Sequence, residues 1–138
     1  MKPSFSTLAA CGCFAGAVLL FTRMDYLVNK QLYDHGLQFS EDWYSDYSLY
    51  YSLLYQLVIA LVFLQTRSWK LCFVLEAFVL SSAQDFVYFG LWEGGKFPQG
   101  DWTWMQGYKT LGHWTTQDQT LLSVGALVAA LVFAKVTP

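Results

Sequence analysis

Charge is what this 138-residue sequence has least of: Asp, Glu, Lys and Arg make up 13% of it, where soluble domains carry about a quarter. An ordinary water-soluble domain is therefore a poor fit. Basic surplus is missing too. Eight Lys and Arg against ten Asp and Glu leave a formal charge of −2, which cannot neutralise a phosphate backbone and argues against nucleic-acid binding. Cysteine is scarce and odd in number. Cys11, Cys13 and Cys72 all fall in apolar stretches, so no disulfide framework is expected and no redox compartment can be read from them. Several signatures are absent. There is no Gly-x-Ser-x-Gly turn for a hydrolase nucleophile, no His-Glu-x-x-His pair for zinc and no phosphate-cradling glycine loop. The sequence also has no internal repeat and no low-complexity tract.

What the chain does have is apolar mass. Hydrophobic residues are 55% of it and aromatic residues 19%, which excludes a disordered chain. Residues 5–22 and 47–65 are uncharged, residues 69–91 are interrupted by Lys70, Glu76 and Asp85, and residues 117–135 form a fourth apolar run. Runs of this length match a bilayer core of roughly 30 Å. The expected architecture is an all-α integral membrane protein, residues 1–138 as a single membrane domain, folded as a four-transmembrane-helix bundle. Leu8-Ala9-Ala10-Cys11 looks like a lipoprotein cleavage box, but the stretch before it is too short for a signal core and the apolar run continues past it, so a retained helix is expected.

Orientation rests on basic residues. Lys2, Arg67, Lys70 and Lys135 share one side and Arg23, Lys30, Lys96 and Lys109 the other. The short loop bracketed by Arg67 and Lys70 breaks the tie, placing both termini in the cytoplasm.

Between the runs the pattern changes. Met24, Leu27, Val28 and Leu32 recur at helical spacing, so residues 23–36 should lie along the interface or prolong the first span, ending near Gly36. Ser40 before Glu41 and Asp42 reads as a helix start. Residues 92–116 read as a loop rich in tryptophan and glycine, too apolar for a solvated linker and suited to the headgroup layer as a cap on one side. Thr116 with Gln119 resembles a capping box opening the last helix. Gly12 and Gly16 form a Gly-x-x-x-Gly face, which suits packing inside the bundle or contact with a membrane partner or a second copy.

Asp85 and Glu76 carry the chemistry, because an ionisable group inside a span is costly unless it meets protein or water. Nine residues apart on one helix, they would point to opposite sides and stand about 13 Å apart, too far for a carboxylate dyad. Ser81, Ser82, Tyr88 and Trp92 would share the face of Asp85. Tyr47, Tyr51 and Tyr55, four residues apart, form a stripe with Gln56 beside it. A polar intramembrane pocket around Asp85 is expected, with Asp25 or Asp46 at its rim. His35 and His113 are too isolated to suggest a metal site, and no cofactor is indicated.

Two functions fit these residues. One is a non-enzymatic accessory subunit or small-ligand-binding bundle. The other is an intramembrane acid/base isomerase or cyclase on a sterol-like or isoprenoid lipid, with Asp85 as proton donor, the tyrosines shaping the apolar pocket and Glu76 as a further catalytic candidate. Ion translocation ranks last, since the spans supply too few polar positions.

Four spans, an Asp just past the first, an aromatic and acidic stretch before the second and intramembrane carboxylates look like the emopamil-binding-protein and sigma-2-receptor group, whose members isomerise or bind sterol-like ligands. Gln84-Asp85-Phe86-Val87-Tyr88-Phe89 is similar to the acidic, aromatic signature of membrane carotenoid cyclases. That signature has a Pro and paired acids where this chain has Ala83, Gln84 and Asp85.

Overall fold

A computed structural model describes residues 5–36 and 41–137; Lys2 and the Ser40 helix start lie outside them. The described residues are helices joined by turns and loops, with no strands among them. The expected all-α class is what the structure shows. Among the described residues, three helices are long and apolar enough to cross a membrane, and a bent helix pair makes a fourth if counted as one crossing. The chain divides into two compact units, Met1–Cys72 and Phe73–Pro138.

The first unit is a helical hairpin. Helix α1 runs unbroken over Phe5–Asp34, so the segment after Thr22 prolongs the first apolar run. Thirty residues span roughly 45 Å at about 1.5 Å each, half as long again as a bilayer core. Gly36 follows with φ +65°, a left-handed conformation that glycine adopts without a Cβ clash and that suits the end of a helix. Helix α2 covers Glu41–Thr66. The buried face of α1 is Ala10, Phe14, Val18 and Thr22, a strict four-residue step, and that of α2 is Tyr55, Ile59 and Val62. Steps of three and four keep side chains on one face of a helix. Phe14 and Phe21 both meet the Tyr55 ring, at centroid distances of 6.4 and 5.1 Å.

A tight connection ends the hairpin. Arg67 takes φ 53°, and the Ser68 hydroxyl accepts from the Leu71 amide to start helix α3, Trp69–Leu80. Serine at such a position supplies the acceptor that a first-turn amide lacks.

In the second unit the third apolar run does not continue as one rod. Helix α3 stops at Leu80, and helix α4, Gln84–Val87, restarts after a turn and passes into a π-helical turn at Tyr88–Trp92. The two segments are bent by 65°. Ser82 sits at the bend with φ 55°, a conformation that costs a non-glycine residue about 1–2 kcal/mol. The following residues contain a short helix, α5, Gln106–Leu111, within what the sequence presents as loop. Helix α6 covers Thr116–Val136. Its capping box is formed by Thr115 and Asp118, one residue ahead of the expected Thr116 and Gln119, because those two side chains are engaged elsewhere.

Candidate functional site

The break in the third run is where the second unit gathers its polar groups. At the bend the Asp85 amide donates to Ser82 O, 3.1 Å away. In a continuous helix that amide would bond Ser81 O. The Ser81 carbonyl is thus released from the ladder, and helix α6 takes it up: Gln119 Nε2 donates to it at 2.6 Å and Ser123 Oγ at 2.9 Å. Both lone pairs are used. Broken backbone in an apolar setting persists only where such side chains re-satisfy it. Gln119 is fully buried, and its other end accepts from Trp114 Nε1 at 2.9 Å. Because an indole N–H only donates and a carbonyl only accepts, this pairing fixes which end of the Gln119 amide faces which partner.

Trp114 is itself held from two directions. Its amide donates to Asp101 Oδ1 at 2.8 Å, and its carbonyl accepts from the Trp102 amide. Its ring covers Gly107, where an added Cβ would run into the indole. Asp101 Oδ1 also lies 2.7 Å from His113 Nδ1, so His113 is placed beside a loop-bracing carboxylate. Among the described residues no group of three His, Cys, Asp or Glu could hold a metal ion.

An aromatic cluster fills the space under the loop. Trp102 is fully buried. Its indole N–H donates to Thr116 Oγ1 at 3.0 Å, and that hydroxyl donates onward to Pro98 O. Its ring stacks on Trp104 at 5.4 Å and lies against Phe89 and Phe86 at 5.2 and 6.0 Å, with Phe97 beside both phenylalanines. Half-buried Asp85 borders this cluster. Trp104 Nε1 lies 3.4 Å from Asp85 Oδ2, longer than a strong N–H···O bond.

The expected grouping around Asp85 changes in detail. Counting Ser81, Ser82 and Tyr88 onto one face with Asp85 assumes an unbroken helix, and the 65° bend removes that assumption. The same bend cancels the reckoned distance between Asp85 and Glu76. Ser81 contributes its carbonyl, while its hydroxyl donates to Phe78 O; Ser82 contributes the bend. Tyr88 and Trp92 are half-buried in the π-helical turn, Tyr88 packed edge-on against Phe89. Glu76 is half-buried in α3.

The tyrosine stripe belongs to the first unit. There Tyr47 donates to Asp25 Oδ1 at 2.7 Å, and Asn29 donates to the same oxygen at 2.9 Å. Tyr47 stacks on Tyr51 at 6.0 Å, and the hydroxyls of Tyr51 and Tyr55 are 3.4 Å apart. Asp25, named above only as a rim residue, anchors the ladder; the Asp46 side chain lies outside the described ones. Gln56 is exposed on α2. Gly12 and Gly16 are also exposed, and a Cβ at either would meet nothing within 4 Å, so α2 does not pack on them.

Sequence reasoning missed Gln119, Ser123, Trp104 and Trp114 as parts of one site. A signal existed for the first two. They are four residues apart, the spacing that puts two side chains on one helix face, at the opening of an otherwise apolar helix. Searches against protein-family models, curated proteins and solved structures find no match to this chain.

Proposed function

We propose that this is a multi-pass membrane protein that binds an apolar small molecule at the broken third span, with both termini on the cytoplasmic side. The chain crosses the bilayer four times as a helical bundle with the aromatic loop as its cap. The lipid setting is supported by surface. Less than a quarter of each long apolar window is buried, 22% for the first and 17% for the other two, and lipid is the solvent in which such faces rest.

One observation carries the binding reading. A span is interrupted, its freed carbonyl is secured by Gln119 and Ser123, and Asp85 sits at the interruption beside Trp104, whose ring packs against Phe89 and Trp102. A helix that only crosses lipid needs no such break. Polar groups converging on an aromatic wall are the usual composition of a small-molecule site. Protein purified from its native membrane should carry one enriched apolar molecule, identified by mass spectrometry of the extract, and Asp85→Asn should lower its recovery several-fold. Recovery of bulk lipid alone, equal in both proteins, would sink the reading.

A second reading, an accessory subunit or self-associating protein, is favoured by the open Gly12–Gly16 face. It expects Gly12→Leu with Gly16→Leu to convert an oligomer to monomer in a mild detergent, read by light scattering.

A further inference from the structure

Gln84 takes no part in the bonds that secure the bend. It opens α4 directly after the bend and is 8% exposed. Its Oε1 is the one buried side-chain nitrogen or oxygen among the described residues that meets no hydrogen-bond partner. Elsewhere in the unit the buried polar groups are matched: Gln119 at both ends and Ser123 through its hydroxyl. Leaving a buried amide oxygen unpaired is unfavourable, and more so where lipid rather than water surrounds the helix.

We infer that Gln84 Oε1 receives the hydroxyl group of an uncharged amphiphile, so that the bound molecule is an apolar body ending in a neutral hydrogen-bond donor. This rests on the binding reading proposed above and names its ligand class. The donor is neutral for two reasons. A metal cation takes several oxygen ligands, and the backbone oxygen freed at the bend, Ser81 O, already accepts from two protein donors. An ammonium ion would need a carboxylate, and the one beside Gln84 in sequence, Asp85, is turned about 100° around the helix from it. The apolar body has a surface to lie on. Tyr88, half-buried, follows Gln84 at four residues, the spacing that continues one helix face, and Leu91, in the π-helical turn beyond it, is exposed.

The test uses the whole protein in phosphatidylcholine nanodiscs, with 11-bromoundecan-1-ol and its methyl ether as probes and quenching of tryptophan fluorescence as the readout. Wild type should show saturable quenching, competed by undecan-1-ol, with the alcohol bound about tenfold more tightly than the ether, the difference that one net hydrogen bond supplies. Gln84→Met, which removes the acceptor and keeps the side-chain length, should erase the preference and still fold. Gln84→Glu, which keeps an acceptor at this position, should keep it. Equal affinity for alcohol and ether in wild type, or a preference that survives Gln84→Met, overturns the inference and leaves the binding site standing. Absence of saturable quenching by either probe overturns the binding reading and the inference with it.

Discussion

The two units solve the same problem, holding apolar helices together, with different materials. The first uses rings and small side chains on continuous helices: Phe14, Phe21 and Tyr55 interlock, and Thr22 satisfies its hydroxyl on its own helix through Val18 O. The two long helices share a polar contact at one end, where Tyr47 and Asn29 meet Asp25. The second unit interrupts a helix and then ties the interruption to α6 through Gln119, Ser123, Trp114 and the loop behind them. The difference separates packing by shape from packing by directional bonds. A hairpin of unbroken helices can be held by shape alone, whereas a broken one needs directional bonds at each freed group.

That contrast can be attacked residue by residue. The largest effect is expected in the ring-built unit, where Tyr55→Ala should cost about 3 to 5 kcal/mol by emptying a fully buried ring site, while Tyr55→Phe costs about 1 kcal/mol or less. Detergent unfolding followed by circular dichroism reads both. If the two cost the same, the first unit is not held by shape. Next comes Gln119→Leu, expected to cost about 3 kcal/mol because it strands the Trp114 N–H and halves the support of Ser81 O. Backbone hydrogen exchange should rise around Ser81–Asp85 and leave α1 unchanged; a uniform rise along the chain contradicts a local tie. Gly107→Ala should cost about 1 to 3 kcal/mol, since the added Cβ displaces the Trp114 ring, with a change in tryptophan emission as its marker. Tyr47→Phe is smaller, about 1 to 2 kcal/mol for a lost bond to a carboxylate, and should leave the emission of the loop tryptophans untouched. Smallest and opposite in sign is Ser82→Gly. Relief of the positive φ should stabilise the second unit by about 0.5 to 1 kcal/mol, net of the greater freedom of the unfolded glycine; a destabilisation would mean that the Ser82 side chain itself holds the bend.

Much of this molecule is written in runs of residue type. Where the helices lie follows from uninterrupted apolar stretches, and the tyrosine stripe follows from its four-residue spacing. The helix end at Gly36 follows from the one residue type that accepts its backbone angle without strain. The capping box came within one position, because Thr115 and Thr116 are chemically alike and only the burial of Trp102 decides which hydroxyl is free to cap. Asp85 stood out as a charge in an apolar run, whereas Gln119 did not. An amide in a helix's first turn reads as a cap until a carbonyl from a distant segment claims it.

By itself, then, the sequence determined the all-α class, the number of apolar runs and the concentration of aromatic residues away from the first and last of them. These are sums over neighbours in the chain, and hydropathy and helical period act at that range. Tertiary structure alone decided that the third run breaks at Ser81–Ala83, that Asp25 receives Tyr47, and that Gln84 is buried without a partner. Each depends on a contact, or on the lack of one, between groups far apart in sequence. The bend is held by a side chain thirty-eight positions away, and no local pattern encodes a bond of that length.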